Sequence, residues 1–183
     1  EYGFSNEEFE NRLERTQDLL YEKKLDALLI SNPSNLRYFT GINTDFWESP
    51  TRPWFLVIPL SGNAIAVIPE IGENLFEKTF VKDIYTWSSP NVNGDDISPL
   101  KSVLDSLPGR FGAIGAELGK EMTIRMPILD FGLLQDSSKF DIIDAASLIW
   151  KLRIVKTPNE IKKMERVSKI VSDVFDLLPT FIS

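Results

Sequence analysis

Residues 148–161 read Leu-Ile-Trp-Lys-Leu-Arg-Ile-Val-Lys-Thr-Pro-Asn-Glu-Ile, and this stretch predicts a joint between two helices. The first helix stops before Pro158, because proline disfavours helical angles in the preceding residue and has no N–H to donate. Thr157 suits the N-cap of the second helix, and Glu160 can complete a capping box with it. Apolar side chains then recur at helical spacing, at Ile161, Met164, Val167 or Ser168, Val171 and Phe175.

Short apolar runs alternate with helical patterns along the rest of the chain. We predict strands at 25–30, 54–59, 64–69, 84–87, 111–115 and 140–144. We predict helices at 6–24, around 36–39 with its end at Gly41, and at 72–80, 97–107, 123–134 and 145–153. The Leu-Ser-Gly-Asn turn at 60–63 indicates a hairpin, which makes at least one strand antiparallel. The pattern therefore predicts an α/β fold, a three-layer α/β/α sandwich with a mixed β-sheet.

Local signals support several of these elements. Ser5 and Glu8 form a second Ser-x-x-Glu capping box ahead of the first helix. Gly109, Gly112 and Gly115 have the wrong spacing for a nucleotide-binding loop, so we expect close packing of a helix over the strand to explain them.

Composition and charge exclude several classes of protein. The chain has 183 residues and is 43% hydrophobic, with 12 Phe and 4 Trp, which favours one packed domain over disorder. A net charge of −7 argues against nucleic acid as a partner. Cysteine is absent and no apolar run is long enough to span a membrane, so we expect no membrane partner and a cytoplasmic location.

The sequence contains few residues suited to catalysis. With neither His nor Cys, it has no Ser-His-Asp or Cys-His nucleophile and no zinc site of the usual kinds. Its paired carboxylates have structural interpretations. Asp95 or Asp96 can cap a helix, Glu7 and Glu8 open one, and Asp141 and Asp144 flank the end of a strand.

Two motifs resemble those of one known family. Residues 150–161, Trp-Lys-Leu-Arg followed by Lys-Thr-Pro-x-Glu-Ile, resemble the linker of the creatinase, prolidase and aminopeptidase P metallohydrolases, peptidase family M24. Residues 32–41, Asn-Pro-x-Asn-x-x-Tyr-x-x-Gly, resemble the motif that follows the family's first strand. The resemblance implies the creatinase/prolidase N-terminal domain, with a ribonuclease H-like mixed sheet between helical layers.

The resemblance also implies a domain organisation. Residues 1–155 would form the N-terminal α/β domain, and residues 156–183 a linker helix leading into a C-terminal pita-bread catalytic domain beyond Ser183. In the family, that second domain binds two divalent metal ions (manganese, cobalt or zinc), which activate water and polarise the scissile carbonyl. We therefore expect a non-catalytic domain that serves dimerisation and substrate-pocket closure. Its expected partners are a second copy in a homodimer and its own catalytic domain.

One residue of the chain matches a substrate-binding position of the family. In members that resemble creatinase, an arginine just before the second strand reaches the active site of the other subunit and binds a substrate carboxylate. Arg52 holds the matching position, and its guanidinium offers a planar fork for a carboxylate. We expect the neighbouring Trp47 and Trp54 to exclude water from that pair. The alternative is an exposed arginine in a polar loop.

The family resemblance leaves the substrate open, because prolidase, aminopeptidase P and creatinase share this front half. The residues around Arg52 depart from creatinase, so creatine is not implied. A different class of function also stays open, a free-standing α/β binding or oligomerisation module without a catalytic partner. A reading frame that continues past Ser183 with spaced Asp, His and Glu would distinguish the first class from the second.

Overall fold

A computed structural model of the chain describes residues 3–48, 52–89 and 97–181. The chain divides into two compact units, Glu1–Leu152 and Arg153–Ser183. The first unit contains a mixed sheet of six strands between helices, which confirms the predicted α/β/α sandwich. The predicted domain boundary at 155/156 stays a prediction.

The sheet has the strand order β4-β3-β2-β1-β5-β6. The strands are β1 (Ala27–Ile30), β2 (Phe55–Pro59), β3 (Ile65–Pro69), β4 (Asp83–Trp87), β5 (Ala113–Ala116) and β6 (Asp141–Asp144). β2 pairs antiparallel with both β1 and β3, so the predicted hairpin is present. The pairs β1–β5, β5–β6 and β3–β4 are parallel.

Helices cover both faces of this sheet. In the described ranges the helices that follow or precede its strands are α1 (Asn6–Lys23), α2 (Pro33–Thr40), α3 (Glu73–Phe76), α4 (Ser98–Ser106), α5 (Ile128–Ser137) and α6 (Ala146–Ile154). The second unit contains α7 (Pro158–Phe181). Short 3-10 helices lie at Asp45–Glu48 and Glu70–Gly72.

Three predicted helices can be compared with the structure in their bounds or their N-caps. α3 is shorter than the predicted 72–80, because Thr79 turns back and donates its N–H and its hydroxyl to the carbonyl oxygen of Phe76. α5 begins only after Pro127, later than the predicted residue 123. The N-cap position of α4 is Ile97, while the predicted caps Asp95 and Asp96 lie outside the described residues.

The side chains of β1 alternate between two hydrophobic cores. Leu28 and Ile30 belong to a core with side chains of α1, α2, α3 and α6. Ala27 and Leu29 belong to a second core with side chains of α4 and α5. All four residues of β1 are buried, as predicted for a central strand covered on both sides.

A buried arginine holds the start of α1 against α2. The Arg12 side chain is only 1% exposed, and its guanidinium lies 4.3 Å from the ring centre of Phe4 and 4.2 Å from that of Tyr38. It donates to the carbonyl oxygen of Tyr38 and pairs with the carboxylate of Glu8 at 3.4 Å. Aromatic rings and hydrogen bonds together compensate for the loss of hydration of this charge.

Both predicted N-cap side chains, those of Ser5 and Thr157, accept a hydrogen bond from the first turn of their helices. Glu8 donates its N–H to the hydroxyl oxygen of Ser5 at 3.4 Å. In the second unit, Glu160 donates its N–H to Thr157 Oγ1 at 3.2 Å, and Thr157 donates its N–H to Glu160 Oε2 at 2.8 Å. The predicted capping box therefore starts α7.

Gly115 in β5 allows the start of α6 to pack closely on the sheet. A Cβ atom at Gly115 would lie 2.6 Å from the Cβ atom of Ala145 and 3.0 Å from Cδ1 of Leu25. This confirms close packing as the explanation for this glycine. Gly112 has a different role, because its φ of +81° is one that glycine adopts without strain.

We predict that Gly115→Ala lowers the free energy of unfolding by about 1–3 kcal/mol, because the added methyl overpacks this contact. Urea unfolding of the 183-residue chain measures the change. Gly132→Ala is the control, since Gly132 lies in α5 with open space around it, and alanine there should raise stability by up to about 1 kcal/mol. Equal stability of Gly115→Ala and the parent chain would contradict the packing argument.

Candidate functional site

The carboxyl ends of β1 and β5 are neighbours, because the two strands are parallel and Leu29 pairs with Ala116. The helices that follow them pack on opposite faces of the sheet. α2 contributes to the core of one face and α5 to the core of the other. In open α/β sheets such a point leaves a crevice beyond the strand ends, and ligands bind there preferentially.

A fully buried carboxylate, that of Glu117, lies at this point. Its Oε2 accepts hydrogen bonds from the N–H of Ser31 at 2.6 Å, the N–H of Asn32 at 2.7 Å and the Ser31 hydroxyl at 3.2 Å. Its Oε1 accepts from the side-chain amide of Asn35 on α2. One side chain after β5 thus satisfies donors at the end of β1 and in α2.

Burial dominates the electrostatics of this group. Loss of hydration raises the pKa of the Glu117 carboxyl above its ordinary value, and the hydrogen bonds from Asn35, Ser31 and Asn32 act in the opposite direction. The donors are arranged around an acceptor, so they hold the carboxylate in one place and make it a structural group.

Sequence reasoning missed Glu117 and a second buried carboxylate, that of Asp26. Asp26 accepts hydrogen bonds from the N–H groups of Arg110 at 2.7 Å, Phe111 at 3.0 Å and Gly112 at 2.6 Å. It therefore fixes the turn ahead of β5. Each of these acids directly adjoins an apolar strand run, and that position is the only signal that the sequence offers.

A cleft of about 410 Å³ opens at the same edge of the sheet, beside the start of α2. Its polar lining includes Asn32, Ser34, Arg37, Asn43, Asp45 and Arg125. The backbone of Arg125 is anchored, because its N–H donates to the Ser31 hydroxyl at 3.0 Å.

The structure brings two of the predicted site residues together. Arg52 is exposed and lines a narrow pocket that Trp54 and Arg125 also line. Trp54 is only 3% exposed, and its ring packs on Phe76 with a distance of 6.1 Å between ring centres. Trp47 lies in the 3-10 helix Asp45–Glu48, and its side chain is outside the described part of the structure. Substrate contact by these residues stays a prediction.

One member of the acidic pair at β6 has a structural role. Asp144 accepts a hydrogen bond from the N–H of Ala146 at 2.9 Å and so caps α6.

Across the described ranges, no group of three or more Asp or Glu side chains is placed to hold a metal ion. None of the helices in those ranges has the length and apolar character needed to cross a lipid bilayer.

A family model described as the Creatinase/Prolidase N-terminal domain matches residues 12–155. The chain belongs to this family. The predicted family is thereby confirmed.

Relatives of this N-terminal domain are longer proteins. It is 26% identical over 183 residues to an uncharacterized peptidase of Schizosaccharomyces pombe, covering 91% of this chain and 36% of that protein. It is 27% identical over 176 residues to an ectoine hydrolase of Halomonas elongata, covering 92% of this chain and 43% of that protein. The chain thus spans well under half the length of these relatives.

A solved structure has the same fold. The dipeptidase PepE from Mycobacterium ulcerans matches 99% of this chain and 46% of its own chain, with a TM-score of 0.74 and 22% identity. At that identity the likeness concerns the fold alone.

We predict that Glu117→Gln changes how stability depends on pH. The folded pKa of Glu117 lies above its unfolded value, so its contribution to stability is fully present below about pH 4.3 and is lost as pH rises through the folded pKa. Glutamine does not titrate. The free energy of unfolding of the variant should therefore improve relative to the parent chain as pH rises through that window.

Urea unfolding at a series of pH values measures this difference. Glu22→Gln is the control, because Glu22 is exposed and pairs with Lys151 at the surface. If the free energy of unfolding of Glu117→Gln instead falls relative to that of the parent chain as pH rises, the folded pKa of Glu117 is lowered. That result would contradict the argument from burial.

Proposed function

We propose that this chain is the non-catalytic N-terminal domain of a metal-dependent, Xaa-Pro peptidase-like hydrolase, and that it serves dimerisation and substrate-pocket closure. The observation that carries the proposal is the family match over residues 12–155, in a chain that spans only 36% and 43% of the two relatives. The divalent metals of such an enzyme would activate water and polarise the scissile bond. We assign no metal ligand to this chain, since its described residues offer no fitting group.

An apolar stripe on α7, in the second unit, supports contact with a catalytic domain of the parent protein. α7 carries exposed apolar side chains at helical spacing, among them Ile161, Met164, Val171 and Phe175. Contiguous exposed apolar surface of this kind indicates a docking surface. We propose that the catalytic domain of the parent enzyme covers this stripe.

An apolar surface on α5 supports dimerisation. Ile128 and Leu129 are each 78% exposed and Leu133 is 62% exposed, whereas Phe131 and Leu134 of the same helix are buried. One face of α5 therefore packs on the sheet, and the other presents three large apolar side chains to solvent. We propose that a second copy of the domain packs against this face.

We predict that Leu133→Glu converts a dimer of the 183-residue chain into a monomer, because it places a charge at the centre of the proposed interface. Sedimentation velocity at several concentrations measures the change. Ile71→Glu is the matched control, since Ile71 is a similarly exposed apolar residue outside α5. A parent chain that stays monomeric, or a Leu133→Glu variant that stays dimeric, would contradict an interface on α5.

Arg52 supports pocket closure, because it is exposed at the carboxyl edge of the sheet and its neighbour Trp54 is fixed in the core. We predict for the full-length enzyme that Arg52→Ala costs about 2–5 kcal/mol in kcat/KM, if the arginine binds a substrate carboxylate away from water. Arg52→Lys keeps the charge but loses the planar fork, so it should recover only part of the loss.

The measurement is kcat/KM on an X-Pro peptide with manganese, for both variants. The isolated 183-residue chain should show no turnover under the same conditions, and robust turnover by it would overturn the non-catalytic assignment. Thermal melts of the isolated chain with the same changes serve as the control. A fall in Tm that matches the loss of activity would make Arg52 structural.

A further inference from the structure

We propose that Met122 is a site of reversible oxidation, at which a peroxide converts the thioether to a sulfoxide and the side-chain amide of Asn35 binds the new oxygen. The inference goes beyond the proposed function, since it concerns a modification that requires neither a catalytic domain nor a second subunit. Both residues belong to the first unit. The chain has 3 Met and no Cys, so its sulfur chemistry with oxidants is that of methionine.

The three methionines differ in how far solvent reaches their side chains. Met164 of α7 is 54% exposed, whereas Met126 is 9% exposed and belongs to the core that contains side chains of α4 and α5. Met122 lies between these extremes, because it is partly buried against the core that contains side chains of α1 and α2. A peroxide must touch the sulfur atom to oxidise it. Exposure therefore predicts that Met164 reacts first, Met122 next and Met126 last.

A hydrogen-bond donor already faces the Met122 sulfur. Its Sδ lies 3.8 Å from Asn35 Nδ2 and accepts a hydrogen bond from it. The same amide donates to Glu117 Oε1, and an amide nitrogen carries two hydrogens, so one hydrogen can face each acceptor. Asn35 is only 2% exposed, which limits competition from water for this amide.

The backbone holds Met122 opposite this amide. Met122 closes a turn, since its N–H donates to the carbonyl oxygen of Gly119 at 3.1 Å. Glu121 in this turn has a φ of +62°, in the left-handed region. A Cβ atom at Gly119 would lie 2.4 Å from a carboxylate oxygen of Asp144, so the turn packs closely on the end of β6. The flexible Met122 side chain can still rotate and bring a new oxygen to Asn35.

The oxidation step transfers one oxygen atom from hydrogen peroxide. A lone pair of Sδ attacks one peroxide oxygen, the S–O bond forms and the O–O bond breaks. The departing hydroxide takes the proton of the transferred oxygen and leaves as water. The thioether is oxidised by two electrons, and the peroxide is reduced by two. The Asn35 N–H then donates to the sulfoxide oxygen, which is a stronger acceptor than a thioether sulfur.

Oxidation of Met122 should therefore strengthen a contact that already joins α2 to the segment after β5. A sulfoxide disrupts an apolar core, because its polar oxygen is buried without a donor. At Met122 the amide of Asn35 supplies the donor. The oxidised chain should keep its fold, and methionine sulfoxide reductases should restore the thioether.

Treatment of the 183-residue chain with hydrogen peroxide tests the site, with each methionine followed by peptide mass spectrometry. In the double variant Met126→Leu and Met164→Leu, only Met122 can react. We expect full conversion there with an unchanged circular dichroism spectrum, and reversal by the two sulfoxide reductases together. If Met122 in the parent chain reacts no faster than Met126, or reacts only in urea that unfolds the chain, the site is overturned.

The role of Asn35 is tested by NMR of the same double variant. The side-chain amide proton of Asn35 should shift downfield on oxidation, because its acceptor becomes stronger. The matched control is Met122→Leu with Met126→Leu, in which only Met164 reacts and the Asn35 resonance should stay unchanged. An Asn35 resonance that does not move when Met122 is fully oxidised would overturn the hydrogen bond.

A second measurement uses the loss of Tm on oxidation. In the variant that retains only Met122, adding Asn35→Ala removes the donor, so oxidation should then lower Tm by more than it does with Asn35 present. Equal losses of Tm with and without Asn35 would contradict the proposal. The proposed role in a hydrolase does not depend on any of these results.

Discussion

The hydrogen bonds of the Glu117 carboxylate join three elements that are far apart in the chain. This acid follows β5, three of its donor groups belong to Ser31 and Asn32 after β1, and the fourth, the amide of Asn35, lies in α2. A buried N–H without a partner costs about 1–3 kcal/mol, so the carboxylate is needed once these donors are buried. The end of β1, the start of α2 and the segment that carries Arg125 all take their positions from this group.

The direction of the neighbouring strands explains why a cleft lies at that edge. β1 has an antiparallel neighbour, β2, on one side and a parallel neighbour, β5, on the other. Of these two neighbours only β5 ends at the same edge as β1, and the helices after β1 and β5 go to opposite faces. The sheet therefore leaves an opening that loops must line, and loops there carry polar residues because their backbones stay in contact with water.

Patterns of local origin could be predicted from the sequence, and contacts between distant residues could not. The capping boxes, the hairpin turn and the buried run of β1 depend on residues a few positions apart. A short stretch of sequence therefore contains every residue that each pattern needs. Glu117 and Asp26 have partners 82 to 86 positions away, and no local pattern records such pairs. Arg37 and Arg125, which are also far apart in the chain, line one cleft without a local pattern that indicates it. The short α3 was mispredicted because the Thr79 turn competes with helical spacing.

The surroundings of Arg12 bear on where the folding unit begins. The family match starts at Arg12, yet the groups that neutralise and cover this guanidinium include Phe4 and Glu8, which lie ahead of it. A polypeptide trimmed to the matched residues would retain the cation and lose the Glu8 carboxylate and two of its rings, those of Phe4 and Phe9. The packing around Arg12 thus extends at least to Phe4, and a boundary drawn at the start of the family match would cut through it.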